Sequence, residues 1–330
     1  MTRFAVSRLS GRRQPRARAA VYAFAVLLPA ICFAPVELRA EQAEEPMAPA
    51  AHIARNRALI ADAARLKLPP VQIGGLWEQI ASDYQDLGEF TDSEAAYNRA
   101  LSLLEPEASA RKAYAVTLSN LGSLYTMSQR LDAAERCDKR ALAVLEELGD
   151  PLMIARGQGH LADVYLAMGK NKEALRYSSL ALRAVDALPG TTSEDKGSLL
   201  ITYAYASCLS SHCEEGLRAA RDAMRIVSAA FAAESFPAGQ AHLALGFAEG
   251  RTGERDAGDE DLREGIRILR LQLPPTHPLM LHAVELYRQY LTENHRDPEA
   301  RKLAEEQKML FEHQRSCGNC TVSVEGLRSR

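Results

Sequence analysis

The chain has 330 residues, of which 47% are hydrophobic, 25% charged and only 6% aromatic. This is an ordinary globular composition, long enough for a large core or for several repeats, and its many alanines and leucines favour helices over sheets. The formal net charge of −3 and the pI of about 6.3 exclude a generally basic nucleic-acid-binding protein.

Residues 1–40 have the organisation of a secretory signal peptide. They hold seven arginines and one acidic residue, Glu37, so the rest of the chain carries a formal charge of −9. The basic start leads into the apolar segment 19–36, and the small residue Ala40 follows. This succession is typical of an export signal. We therefore predict export to a bacterial periplasm or envelope, with an uncleaved N-terminal membrane anchor as the alternative.

A linker and a helical cap are predicted next. Residues 41–50, which are rich in Glu, Ala and Pro, read as an exposed linker. Residues 51–70 are predicted to form an N-terminal capping helix, because an amphipathic pattern runs up to two consecutive prolines. Helix-pair repeats are then predicted over residues 71–310, followed by a C-terminal tail over residues 311–330.

The sequence repeats itself with a nearly constant period. Small residues recur at spacings of 41, 40, 42 and 42 residues, and a sixth, weaker copy follows. These small residues are Ala81, Gly122, Ala162, Ala204 and Gly246. Each copy predicts two amphipathic helices that approach closely at the small residue, since a larger side chain would push the backbones apart. The turns between the two helices are predicted around Gly88, Gln129, Gly169, Ser211 and Gly253.

The first copy contains the clearest family pattern. Its residues are Trp77, Ile80, Ala81, Tyr84, Ser93, Tyr97 and Ala100. This set and its later equivalents resemble the tetratricopeptide repeat family over about residues 74–310. The period resembles the 42-residue variety of kinesin light chains more than the family's usual 34 residues. The resemblance implies an all-α, right-handed solenoid of five to six helical hairpins with a concave face.

The same resemblance implies a non-enzymatic interaction scaffold. Such a protein needs no cofactor and binds a protein or peptide, not a nucleic acid or a small-molecule substrate. The sequence agrees, since it has no HExxH helix, no GxSxG motif and no phosphate loop, and no catalytic or metal-ligating residue is predicted. The acidic run Asp259-Glu260-Asp261 is interpreted as a solvated helix face, and His277 and His282 as surface histidines.

Cysteines leave an alternative function open. Cys317 and Cys320 form a CxxC in the predicted tail. In an exported protein we expect a simple disulfide there, whereas a redox pair or half of a zinc site are the functional alternatives. The states of Cys137, Cys208 and Cys213 stay open. A thiol-active or metal-binding protein that uses the tail is therefore one alternative to the scaffold, and a cytoplasmic repeat-containing regulator is the other.

The concave face is the predicted partner-binding surface, because the first helix of each repeat lines it in the family that the sequence resembles. The residues predicted there are Gln79, Ser82, Asn120, Ser123, Arg156, His160 and Asp163. In similar light-chain-type repeats an asparagine at the place of Asn120 grips peptide backbone, since an amide both donates and accepts. Gln79 and His160 hold the equivalent positions. These side chains are expected to face solvent and to take an internal peptide segment or a folded partner.

Overall fold

Residues 48–317 are described by a computed structural model, with side chains as far as Glu312. The predicted export signal and most of the predicted linker lie outside these residues. Within the described range the chain forms fourteen α-helices and no strand. They are α1 (Pro49–Ala61), α2 (Ala63–Leu66), α3 (Pro70–Asp86), α4 (Phe90–Leu104), α5 (Arg111–Met127), α6 (Leu131–Leu148), α7 (Pro151–Ala167), α8 (Asn171–Ala187), α9 (Ser193–Leu209), α10 (Cys213–Ala230), α11 (Phe236–Thr252), α12 (Arg255–Gln272), α13 (Pro278–Glu293) and α14 (Asp297–Cys317).

Six helix pairs follow each other in register. We call the first helix of each pair an A helix and the second a B helix. The A helices are α3, α5, α7, α9, α11 and α13, and the B helices are α4, α6, α8, α10, α12 and α14. Successive A helices begin 40 to 43 residues apart. The predicted all-α solenoid of five to six hairpins is confirmed, and the weak sixth copy is a complete helix pair.

Every hairpin turn contains one residue in the left-handed conformation. These residues are Gly88, Gln129, Gly169, Ser211, Gly253 and His295, with φ between +59° and +96°. In each turn the next residue donates its N–H to a carbonyl five residues earlier, as Glu89 does to Tyr84 at 2.8 Å. This bond satisfies a carbonyl that the helix end leaves unpaired. The structure therefore has its turns at the five predicted positions, and His295 adds a sixth.

The small residues lie where the two helices of a pair cross. Ala81 and Ala162 are fully buried. A Cβ added to Gly122 would lie 2.6 Å from the Asp138 carboxylate, and one added to Gly246 would lie 2.8 Å from the carbonyl oxygen of Gly258. Such contacts are too close for any side chain larger than hydrogen without movement of a neighbour. The spacing seen in the sequence therefore marks the close crossings of the hairpins.

The A helices form the inner layer of the solenoid. Each A helix contacts the next A helix as well as the B helices beside it, whereas successive B helices stay further apart. Burial follows the same division, since α5 is buried without interruption from Thr117 to Met127 while α6 buries a single face. The inner layer is the concave one, because neighbouring helices lie closest together on the inside of a curve.

The two ends differ from the predicted boundaries. Helix α1 begins at Pro49, within the predicted linker, and it packs Ile53 and Asn56 against α3. The predicted capping helix is divided into α1 and α2, and α2 ends at Lys67 in the left-handed conformation. Helix α14 continues to Cys317, so the first residues of the predicted tail are helical. No helix between Pro49 and Cys317 is long and apolar enough to cross a bilayer.

Candidate functional site

The predicted site residues all lie on the first three A helices. Gln79 and Ser82 are on α3, Asn120 and Ser123 on α5, and Arg156, His160 and Asp163 on α7. Gln79, Ser82, Arg156 and His160 are half-buried. Asn120, Ser123 and Asp163 are only 4%, 3% and 7% exposed, so the expectation that Asn120 faces solvent is wrong. The reason is that neighbouring A helices cover one another and pair their polar groups across the repeats.

Two side-chain amides, those of Asn120 and Gln79, connect the helices α1, α3 and α5 by hydrogen bonds. Asn120 Nδ2 on α5 donates to Glu78 Oε1 on α3 at 2.7 Å. Gln79 Oε1 on α3 accepts from Asn56 Nδ2 on α1 at 3.1 Å. Burial raises the pKa of Glu78, and the hydrogen bond from Asn120 partly opposes that rise. Asn120 therefore compensates a buried carboxyl in the free protein, in addition to any contact with a partner.

A buried ion pair joins the third and fourth repeats. Arg156 on α7 donates through Nε to Asp195 Oδ1 at 2.6 Å and through Nη2 to Asp195 Oδ2 at 3.1 Å. Asp195 also belongs to the capping box of α9, since its N–H donates to Oγ1 of the N-cap residue Thr192 at 3.1 Å and its carboxylate accepts from Thr192 in return. Burial opposes ionisation of Asp195, but the hydrogen bonds from Arg156 and Thr192 outweigh it and hold its pKa below the usual range. The charge of Arg156 is therefore already neutralised.

The two remaining polar groups of α7 are held neutral by burial. Asp163 Oδ1 accepts from Thr202 Oγ1 at 2.8 Å, and burial raises the pKa of Asp163 well above its usual value. Burial, with the nearby Arg156 charge as the smaller cause, lowers the pKa of His160 to about 4. His160 is therefore an uncharged imidazole at neutral pH, with one nitrogen that donates and one that accepts.

An inter-repeat tyrosine clamp was missed by the sequence analysis. Tyr125 on α5 donates to Glu94 on α4 at 2.8 Å, and Arg130 lies over the Tyr125 ring while pairing with the same Glu94 at 2.5 Å. Tyr165 and Lys170 repeat this arrangement one repeat later, both on Glu135. The sequence does contain a signal for this clamp: in two successive copies of the repeat, a tyrosine is followed five residues later by a basic residue. The clamp connects neighbouring repeats.

Two predictions need correction: that His277 and His282 are surface histidines, and that the acidic run 259–261 is only a solvated helix face. His277 is only 5% exposed and caps α13, since its Nδ1 accepts from the N–H of Leu279 at 3.2 Å. Burial lowers the pKa of His277, and that of the half-buried His282, to about 4. Asp259 is not simply a solvated residue, because it accepts from Tyr287 and pairs with Arg296. These groups fix the last repeats in place.

Two of the three cysteines whose state the sequence leaves undecided form a disulfide. Cys208 at the end of α9 is bonded to Cys213 at the start of α10, across the turn of the fourth hairpin. Cys137 is a half-buried free thiol, and burial raises its pKa to about 11, with Asp138 as the second cause. Cys320 and the side chain of Cys317 lie outside the described residues, so their predicted disulfide stays a prediction.

Comparison with known proteins agrees with this architecture. A profile of the tetratricopeptide repeat matches residues 72–147, which confirms the resemblance. BtubC (BKLC) from P. vanneervenii is 22% identical, with a TM-score of 0.54 over 68% of this chain and 91% of that one. The apo form of RapI is 14% identical, with a TM-score of 0.63 over 80% and 93%. Aspartyl phosphate phosphatase F from Bacillus subtilis is 12% identical, with a TM-score of 0.53 over 77% and 74%.

These likenesses have a limited meaning. At such low identity the three structures show a shared fold and nothing about ligands or activity. A search among curated proteins gives no significant match. The chain is therefore a tetratricopeptide-type helical solenoid.

Proposed function

We propose that this tetratricopeptide-type solenoid is a non-enzymatic scaffold that binds a protein segment on its inner layer of A helices. The observation that supports it is the set of half-buried polar groups on the first and third A helices, formed by Gln79, Ser82, Arg156 and His160. Each neutral hydrogen bond contributes only about 0.5–1.5 kcal/mol net, so affinity would come from several repeats acting together.

The chemistry of these groups favours an internal peptide segment as the partner. The Gln79 amide and the neutral imidazole of His160 can each donate and accept, which suits the N–H and C=O groups of an extended backbone. A chain terminus would need an unpaired cation for its carboxylate, and the Arg156 charge is already neutralised by Asp195. The proposed occupant is therefore uncharged where it meets the middle of the inner layer.

Export to an oxidising compartment is the second part of the proposal. Residues 1–40 carry the pattern of an export signal, and the disulfide between Cys208 and Cys213 supports the same location, because disulfides persist outside the reducing cytosol. Replacing Leu27 and Leu28 by Asp would place charge in the apolar region of the signal. The variant should stay in the cytoplasm on fractionation, and its normal arrival in the envelope would contradict the proposal.

Site-specific photo-crosslinking in the native host tests the binding surface. A photoreactive amino acid is placed at Ser82 or His160 on the inner layer, or at the exposed Arg136 on α6 as the control. We expect the two inner positions to capture the same protein, and the outer position not to. Capture from position 136 alone would place the interface on the outer layer and refute the proposal.

A further inference from the structure

The first and last repeats of the solenoid touch each other. Phe90, the first residue of α4, meets His277, the residue before α13, with ring centroids 6.5 Å apart and an interplanar angle of 72°. Phe90 and Leu279 both pack against one apolar cluster, which includes Ile80 of the first repeat. Because these side chains come from repeats one and six, the solenoid completes a turn and its ends meet. We call the contact between Phe90, His277 and Leu279 the seam.

The floor of the inner layer is covered by contacts between neighbouring A helices. Asn120, Ser123, Asp163, Tyr205 and Phe247 lie on four successive A helices and are all buried. An incoming peptide therefore cannot reach them unless neighbouring helices move apart. A solenoid widens by small rotations between repeats, and contact between its two ends resists this widening.

We propose that the seam is a releasable latch that controls access to the inner layer. This inference rests on the proposed function, since it assigns a gate to the same surface. The seam is suited to release because it consists of a few side chains at helix ends, whereas each hairpin is packed along the length of its helices. Interfaces with few buried contacts are the first to open in native proteins. Partner binding would then be coupled to opening of the seam and not only to contacts on the inner layer.

Two variants open the seam in different ways. Phe90→Ala removes one ring of the aromatic contact. His277→Ser removes the other ring but keeps a side-chain oxygen that can cap α13, so loss of the cap and loss of the seam are separated. Phe231→Ala is the matched control, because Phe231 is also a half-buried phenylalanine at a helix end, following α10 and far along the chain from the seam.

Thiol labelling measures the opening without any partner. His160→Cys reports on the inner layer and Arg136→Cys on the outer layer, and labelling by a maleimide is quantified on the peptide that contains each position. We expect Phe90→Ala and His277→Ser each to raise the labelling rate at position 160 by about two- to tenfold, the range that loss of one edge-to-face aromatic contact gives in an opening equilibrium. The rate at position 136 should not change, and Phe231→Ala should change neither.

The outcomes separate the latch from the proposed function. An unchanged rate at position 160 in both seam variants, with wild-type circular dichroism, would overturn the latch and leave the binding surface untouched. Crosslinking of a partner to the outer layer alone would refute the proposed function and leave these labelling rates unaffected. If Phe90→Ala loses its helical signal, His277→Ser decides the question by itself.

Discussion

At the scale of single residues, the glycine at a helix crossing sets how closely the two helices can approach. Gly122 lies against the buried carboxyl of Asp138, 2.6 Å from where a Cβ would stand. We predict that Gly122→Ala lowers the free energy of unfolding by about 1–3 kcal/mol, because the added methyl group overpacks the crossing. Gly75 on α3 is the control, since a Cβ there meets nothing within 4 Å. Gly75→Ala should stabilise by roughly 0.5–1 kcal/mol in urea unfolding, and equal effects of the two changes would contradict the close crossing.

A second residue-scale prediction concerns Glu249 on α11. Burial, helped by the neighbouring Asp261, raises the pKa of Glu249 from 4.5 to about 8. The folded state therefore binds more protons than the unfolded chain between these values, and stability from this group falls as pH rises through that window. Glu249→Gln keeps a neutral side chain at all pH values. Its melting temperature relative to wild type should therefore rise between pH 5 and pH 8.

The matched control for this pH effect is Glu147→Gln. Glu147 is an exposed residue that pairs with Arg111 on the surface. Its replacement should not produce a relative gain in melting temperature between pH 5 and pH 8. A Glu249→Gln curve parallel to wild type across this range would show that the carboxyl is not desolvated in the folded protein.

At the scale of helices, the positions of the turns could be predicted from the sequence, whereas the burial and the hydrogen-bond partners of the polar groups on the inner layer could not. A turn such as the one at Gly88 depends on residues close together in the chain, and small or turn-forming residues mark it locally. The partners of Asn120 and Asp163 are Glu78 and Thr202, each about one repeat away. Polar residues on a helix exposed on one side point to solvent, but α5 is buried on all sides from Thr117 to Met127. The only sequence signal for such pairs is two polar residues separated by one period.

The disulfide across the fourth hairpin gives an element-scale prediction. The bond between Cys208 and Cys213 closes a loop of six residues, which by loop-closure entropy stabilises the folded state by about 2 kcal/mol. Reduction should therefore lower the melting temperature of the wild-type protein. In Cys213→Ser the melting temperature should be lower from the start and insensitive to the reductant. The free thiol of Cys137 provides the control, because Cys137→Ser should keep the full response. Identical melting of the oxidised and reduced wild type would contradict a stabilising bond.

At the scale of the whole molecule, coupling between repeats decides whether the solenoid unfolds as one unit. In a repeat protein each unit is stabilised chiefly by its neighbours, so a weak junction divides the molecule into two cooperative parts. The junction between repeats three and four contains the pair of Arg156 and Asp195, whose side chains are 19% and 2% exposed. Removing one member of such a pair leaves an uncompensated buried charge, which costs about 3–5 kcal/mol.

We therefore predict that Arg156→Ala separates the unfolding of the two halves. The single tryptophan, Trp77, lies in the first repeat, so its fluorescence follows the N-terminal half while far-ultraviolet circular dichroism follows all helices. In denaturant the two curves should coincide for wild type and diverge for Arg156→Ala. Lys196→Ala is the control, since Lys196 forms a more exposed pair with Asp186 that is worth less than about 1 kcal/mol. If the curves of Arg156→Ala still coincide, the buried pair is not what couples the halves, and the tyrosine clamps and helix packing must carry the cooperativity.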